Sequence, residues 1–130
     1  MRKVHHDLLV VALQDQYPDL VHGVDYVVGH KLCAKGKQAS VAFIVEWRNT
    51  DVPQPSLKTM LRHAETQRPV LEARNVRGWR DQHLSETDWT MGYDSPDDKR
   101  PVWAAYRQAL RDVTKQPGFP SDVVWPERPK

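Results

Sequence analysis

Histidine and cysteine bind metal ions readily, and this chain contains six histidines and one cysteine. Zinc sites place histidines about three to five residues apart or use paired cysteines. No two histidines here have that spacing, and Cys33 has no second cysteine. His5 and His6 are adjacent, so on a helix we expect their side chains to point in different directions. The spacing therefore predicts surface histidines and no metal site.

Nucleophilic and acid–base catalysis find no better support in the sequence. Cys33 lies among lysines, whose charge would lower the pKa of its thiol, but no base is marked beside it. We interpret Cys33 as a small, half-buried loop residue. The acidic pair Asp97 and Asp98 is explained by helix capping, and the six glycines are too dispersed for a phosphate-binding loop. These patterns predict no catalytic residue, no cofactor and no enzymatic activity.

Length and charge exclude several classes of partner. A chain of 130 residues can bury a core without a disulfide or a structural metal. Its net charge is only +2 and its basic residues are spread evenly, which excludes nucleic acid as the main partner. The longest apolar run, residues 8–13, is far too short to span a membrane, which takes about 20 apolar residues. The start of the chain does not resemble a secretory signal, so we expect a soluble intracellular protein.

The start of the chain predicts a short amphipathic helix over residues 7–16. Asp7 is a suitable N-cap, because its carboxylate can accept a hydrogen bond from a free backbone N–H of the first turn. Pro18 ends the helix, since the residue before a proline is pushed out of the helical region.

A β-hairpin is predicted to follow this helix. Residues 24–28 are β-branched and aromatic, residues 41–47 alternate in hydropathy, and residues 29–40 form a solvated loop between them. Because an isolated two-stranded ribbon is barely stable in water, we expect the first helix to cover one of its faces.

Two helical stretches are predicted after the hairpin. Ser56 is a suitable cap for a helix that begins at Leu57. Pro69 then produces either a kink near Arg68 or two helices that meet there. The next helix is expected to run over residues 70–83.

The last helix is preceded by irregular structure. We expect the chain to leave the helix over residues 84–90 and to form a loop over residues 91–96. Asp97 or Asp98 then caps the final helix, and Pro101 lies in its first turn, where a backbone N–H is not needed. One side of this helix is an apolar stripe made of Trp103, Tyr106, Leu110 and Val113.

Large aromatic residues are concentrated near the C-terminus, namely Trp89, Trp103, Tyr106, Phe119 and Trp125. They either form the core of a small helical module or remain partly exposed as a docking surface, where Trp, Tyr and Arg dominate binding energies. Arg107 and Arg111 either line the rim of such a surface or are solvated. The tail over residues 119–126 is expected to be extended. We expect it to pack on the protein's own helices rather than to add a strand to the hairpin or to be given to a partner.

Three motifs in the second half of the chain resemble a known family. They are Arg77-x-x-Arg80-Asp81-x-x-Leu84-x-x-Thr87-Asp88-Trp89-Thr90, then Trp103-Ala104-x-Tyr106-Arg107-Gln108-x-Leu110-Arg111-Asp112, and finally Gln116-Pro-Gly-Phe-Pro120-x-x-Val123-x-Trp125-Pro126. Together they resemble the phage tail assembly chaperone family. Pro101 departs from the family pattern at the start of the last helix.

The N-terminal half is similar to the XkdW-like phage proteins. The similarity lies in Leu9-x-x-Ala12-Leu13-x-x-x-Tyr17-Pro18, in Asp25-Tyr26-Val27 and in Ile44-x-x-Trp47. Taken together, the sequence predicts an α+β protein. An N-terminal helix and hairpin, residues 1–50, pack with a helical C-terminal module, residues 56–130, that ends in an extended tail.

The resemblance implies a non-enzymatic assembly factor that binds a tail-fibre or receptor-binding protein in the host cytoplasm. The alternative is a small structural component of the tail or baseplate that stays in the virion. The family supplies no catalytic residues. We therefore expect partner binding through Asp88, Trp89, Arg107, Arg111, Phe119 and Trp125. We also expect Arg80 or Arg107 to pair with Asp88 or Asp112 and so to fix the segment before Trp89.

Overall fold

The computed structural model describes residues 3–130 and has an α+β architecture, as the sequence predicts. Its helices are α1 (His6–Gln16), α2 (Leu57–Thr66), α3 (Arg68–Glu86) and α4 (Arg100–Arg111), and its strands are β1 (Tyr26–Gly29) and β2 (Phe43–Trp47). Short 3₁₀ helices follow α3 at Asp88–Met91 and α4 at Asp112–Lys115. The chain forms two compact units, Met1–Leu71 and Glu72–Lys130, and the boundary between them falls within α3.

Helix α1 supplies the centre of the first core. Leu8, Leu9, Ala12 and Leu13 are at most 1% exposed. The helix ends at Gln16, and its C-cap, Tyr17, directly precedes Pro18. We expected Asp7 to be the N-cap, but the N-cap is His5. The His5 ring accepts a hydrogen bond from the backbone N–H of Asp7. Asp7 instead lies in the first turn, where the positive end of the helix dipole favours a carboxylate.

The two strands are antiparallel, with Tyr26 opposite Trp47 and Gly29 opposite Phe43. The first strand begins later than predicted because the residues before it form a turn. In that turn the carboxylate of Asp25 accepts the backbone N–H of Val21 at 2.7 Å, which lowers the pKa of Asp25.

The second strand also begins two residues later than predicted. The backbone N–H of Ala42 does not join the ladder but donates to the carbonyl of Val4, at 2.9 Å. The connection between the strands is a largely exposed loop, as expected.

The core of the first unit joins α1, the hairpin and α2. Helix α1 covers one face of the hairpin, as expected, and Tyr26 is fully buried there, stacked on Trp47. Helix α2 adds Met60 and Ala64 to the same core. We expected α2 in the C-terminal module, residues 56–130, whereas the apolar side of this helix lies in the core of the first unit. The packing of α1 and α2 against the hairpin stabilises it, because two strands alone are only marginally stable in water.

Ser56 caps α2 as predicted, with its hydroxyl 3.5 Å from the backbone N–H of Thr59. Of the two outcomes expected at Pro69, the structure shows two helices. Helix α2 ends at Thr66 and α3 begins at Arg68, which places Pro69 in the first turn of α3. Helix α3 then continues to Glu86, beyond the predicted end at His83.

Helix α4 carries the core of the second unit. All four residues of the predicted stripe are buried, with Val113 in the 3₁₀ turn that follows the helix. Neither Asp97 nor Asp98 is the N-cap, because the helix begins later, after Lys99. Asp97 pairs instead with Arg100 at 3.2 Å, and Pro101 lies in the first turn as expected.

The C-terminal tail packs on the second unit, although it is not extended throughout. Its first part is a turn, closed by a hydrogen bond of 2.7 Å from the N–H of Asp122 to the carbonyl of Gly118. A Cβ at Gly118 would collide with the carbonyl oxygen of Asp122, so the turn requires glycine. After this turn, Val124 is held by the side-chain amide of Gln116, which donates to its carbonyl and accepts from its backbone N–H. In the part of the chain that the structure describes, the tail adds no strand to the hairpin.

We predict that Trp103→Ala lowers the free energy of unfolding by about 3–5 kcal/mol, because it removes a large side chain that is 7% exposed. Denaturant unfolding measures the change. Trp79→Ala is the matched control, since the same side chain is 58% exposed there, and we expect it to cost less than about 1 kcal/mol. Equal effects of the two variants would contradict the core assignment.

A second prediction concerns Tyr26, whose buried hydroxyl has no hydrogen-bond partner among residues 3–130. Tyr26→Phe removes that polar group, so it leaves stability unchanged or raises it by up to about 1 kcal/mol. Burial raises the pKa of Tyr26, with a smaller contribution from Asp25.

The direction of this pKa shift adds a pH dependence. Above about pH 10 the unfolded tyrosine ionises while the folded one stays neutral, so the wild type loses stability that Tyr26→Phe keeps. Urea unfolding at about pH 8 and about pH 10.5 should show the variant's advantage growing with pH. A destabilised variant at both pH values would mean that the hydroxyl has a partner.

Candidate docking surface

A buried arginine joins α4 to the end of α3. Arg107 is 7% exposed. Its guanidinium donates to the carbonyl of Leu84 at 2.6 Å, to the hydroxyl of Thr87 at 2.9 Å and to the carboxylate of Asp88 at 2.7 Å. Thr87 is itself fully buried and donates to the carbonyl of His83 at 2.8 Å. The last carbonyls of α3 thus receive side-chain donors, which explains why the helix continues past its predicted end.

The expected ion pair is therefore formed by one of the possible combinations, Arg107 with Asp88. Arg80 pairs with its neighbour Asp81, at 2.8 Å. Asp112 pairs with Lys115 at 3.1 Å, and that hydrogen bond, together with one from Gln108, lowers the pKa of Asp112.

Trp89 projects from the segment that Arg107 fixes. Its indole is 60% exposed, and its ring meets that of the buried Trp103 edge to face, with 5.7 Å between centroids. Trp89 also lines a shallow pocket of about 370 Å³ with residues 92–96. Arg100 shapes this loop, since its guanidinium donates to the carbonyls of Gly92 and Ser95.

A second shallow pocket, of about 260 Å³, is lined by Trp79, His83 and Trp125. The His83 ring stacks on Trp79 and meets Trp125 edge to face, with 5.9 Å between centroids in both pairs. We did not predict Trp79 as a site residue. Its spacing of four residues from His83 on one helix was the available signal, because such pairs share a helix face.

The six residues predicted to bind a partner lie in three kinds of environment. Trp89, Asp88, Arg111 and Trp125 are exposed, Phe119 is half-buried and Arg107 is buried. The guanidinium of Arg77 lies over the ring of Phe119, 5.4 Å from its centroid. Arg107 is thus a buried side chain that holds Thr87 and Asp88, the two residues directly before Trp89.

We expected Cys33 to be half-buried, but it is exposed. The pKa of its thiol is lowered, as predicted, but the causes differ. Hydrogen bonds from the backbone of Lys35 and Lys37 contribute most, and the charge of Lys3 contributes least.

Three of the histidines meet in the first unit, which differs from the expectation for His5 and His6. The ring centroids of His5 and His6 are 4.0 Å apart, and each lies within 4.8 Å of the His30 centroid. The expectation assumed that both residues are helical. His5 is the N-cap and has an extended backbone, so helical periodicity does not apply to it.

Two protein families match parts of the chain, one in each half. Residues 73–130 match the family described as phage tail assembly chaperone protein. Residues 9–68 match the family described as XkdW protein. Both resemblances are confirmed. The matched residues 73–130 include the Arg107 network, Trp89 and the tail, and so contain all six residues predicted to bind a partner.

Comparisons with curated proteins and with solved structures give no match. Within residues 3–130 the structure contains no helix with the length and hydropathy of a membrane span.

We predict that Arg107 stabilises the second unit mainly through its hydrogen bonds to buried acceptors such as the carbonyl of Leu84, and less through its ion pair with Asp88. Arg107→Leu should cost about 2–3 kcal/mol, because it leaves buried acceptors without donors. Asp88→Asn should cost less than about 1 kcal/mol, since this side chain is 68% exposed. Denaturant unfolding of both variants tests the order, and an Asp88→Asn effect as large as that of Arg107→Leu would contradict it.

Proposed function

We propose that this protein is a non-enzymatic phage tail assembly chaperone that binds a tail-fibre or receptor-binding protein through its C-terminal unit. The family match over residues 73–130 supports a role in tail assembly. The observation that carries the proposed binding is that the indole of Trp89 is 60% exposed on a segment held by a buried arginine.

Exposed tryptophans are suited to protein recognition. Tryptophan, tyrosine and arginine contribute most to the binding energy of protein interfaces. The unit exposes Trp79 and Trp89 by 58% and 60%, Trp125 by 38% and Tyr93 completely. Burying these rings against a partner would remove a large apolar area from water. Arg111 supplies a cationic side chain for the rim of such an interface.

The segment before Trp89 is held in place before any partner arrives. Arg107 binds both Thr87 and Asp88, and the 3₁₀ turn keeps Thr90 bonded to the carbonyl of Thr87. A recognition residue on an ordered segment loses less conformational entropy on binding. Trp125 is held in a similar way, because the tail is tied through Gln116 and Val124.

The test is a binding assay between the purified chain and the tail-fibre protein of the same phage. We expect Trp89→Ala and Trp125→Ala each to weaken binding at least about tenfold, as hot-spot residues do. Leu32→Ala is the control, since Leu32 is 60% exposed but lies in the first unit, and we expect it to bind like the wild type. Wild-type binding by both tryptophan variants would contradict this surface.

The place of action is tested separately by mass spectrometry of purified virions. A chaperone that acts in the host cytoplasm and is then released should be missing from the particle. Recovery of the protein in stoichiometric amount with other tail proteins would instead establish the structural-component alternative.

A further inference from the structure

Three imidazoles converge at the start of α1, on the unit that the proposed docking surface does not use. His5 caps the helix, His6 is its first residue and His30 directly follows β1. The Nδ1 atoms of His6 and His30 lie 3.0 Å apart. Each of the three rings offers a nitrogen within 4.8 Å of a nitrogen of the other two.

The backbone around these rings is tied to the fold. The carbonyl of His5 accepts the N–H groups of Leu8 and Leu9 in the first turn of α1. The preceding residue, Val4, is 6% exposed and its carbonyl accepts the N–H of Ala42. Beyond His30, the backbone N–H of Lys31 donates to the Ser40 hydroxyl at 2.9 Å. The rings are thus mounted on ordered elements, as a preorganised site requires.

Asp7 lies beside both neighbouring rings. One carboxylate oxygen is 3.1 Å from Nε2 of His6 and the other is 3.3 Å from Nδ1 of His5. Nδ1 of His5 accepts the backbone N–H of Asp7 when it caps α1, so His5 binds a metal through Nε2 only when its proton moves to Nδ1 and is donated to the Asp7 carboxylate. When Nε2 of His6 donates its proton to Asp7, Nδ1 is left with a lone pair, and that lone pair faces His30. Metal-bound histidines characteristically donate their second N–H to a carboxylate in this way.

We propose that His5, His6 and His30 form a binding site for a divalent transition-metal ion of the zinc class. Imidazole nitrogen suits zinc, copper and nickel, whereas magnesium and calcium require oxygen ligands. Two nitrogens bound to one zinc at about 2.0 Å lie about 3.3 Å apart in tetrahedral geometry. The separation of 3.0 Å between Nδ1 of His6 and Nδ1 of His30 is close to that value, and His5 offers a ring nitrogen within 4.8 Å of both.

The site is accessible and would act on the first unit. The side chains of His5 and His6 are 44% and 38% exposed, so an ion can enter from solvent. Three protein ligands leave a fourth position for water. Bound metal would link the start of α1 to the end of β1, and binding to the folded state alone raises stability.

The experiment is a Zn²⁺ titration by calorimetry of the full chain without a polyhistidine tag. We expect one equivalent to bind and to raise the melting temperature. His30→Ala should weaken that binding at least about tenfold, since it removes a ligand. The matched control is His63→Ala, because His63 is a single imidazole beside Asp15 in the same unit, and it should bind Zn²⁺ like the wild type. Equal affinity of wild type and His30→Ala would overturn the proposal.

A second measurement does not depend on the folding of any variant. Imidazole resonances of the ¹⁵N-labelled wild type are followed during the same titration. The proposal requires that one equivalent of Zn²⁺ shifts the resonances of His5, His6 and His30 and leaves those of His63 and His83 in place. Shifts spread over all histidines, or no shifts, would show that the three rings form a hydrogen-bonded cluster without a metal site.

Discussion

The guanidinium of Arg107 is almost completely removed from water, and a charge in that position is tolerated only where oxygen acceptors replace the solvent. The acceptors are the carbonyl of Leu84, the hydroxyl of Thr87 and the carboxylate of Asp88. All three lie at the end of α3 or just after it, so one side chain of α4 fixes where α3 stops. A planar guanidinium can serve several acceptors at once, which a lysine ammonium does less well.

The consequences of this constraint extend to the aromatic residues. Trp103 lies one helical turn before Arg107 and is buried in the same unit. Trp89 lies directly after Asp88. Its ring contacts that of Trp103 in an edge-to-face arrangement, while most of the surface of Trp89 stays in solvent. One tryptophan of the pair therefore stabilises the unit and supports the other, which remains available to a partner.

Sequence reasoning succeeded where a feature depends on neighbouring residues. The stripe from Trp103 to Val113 follows from helical spacing, and the Ser56 cap follows from a hydroxyl placed before an apolar turn. It failed at the end of α3, because the donor that completes that helix comes from Arg107, far along the chain. It failed also at Asp97, whose carboxylate binds Arg100 and not the backbone of the first turn.

The same physical reason explains why the sequence showed only part of each candidate site. Spacing rules compare side chains within one element, so they apply to Trp79 and His83 on α3 but cannot show that Trp125 joins them from the tail. For the histidines the rule was applied to a residue outside the helix. An N-cap has extended backbone angles, and at His5 these direct the ring to His6 and to the end of a strand. Residues at the ends of elements are therefore the positions where a sequence can hold a site that no periodic pattern reveals.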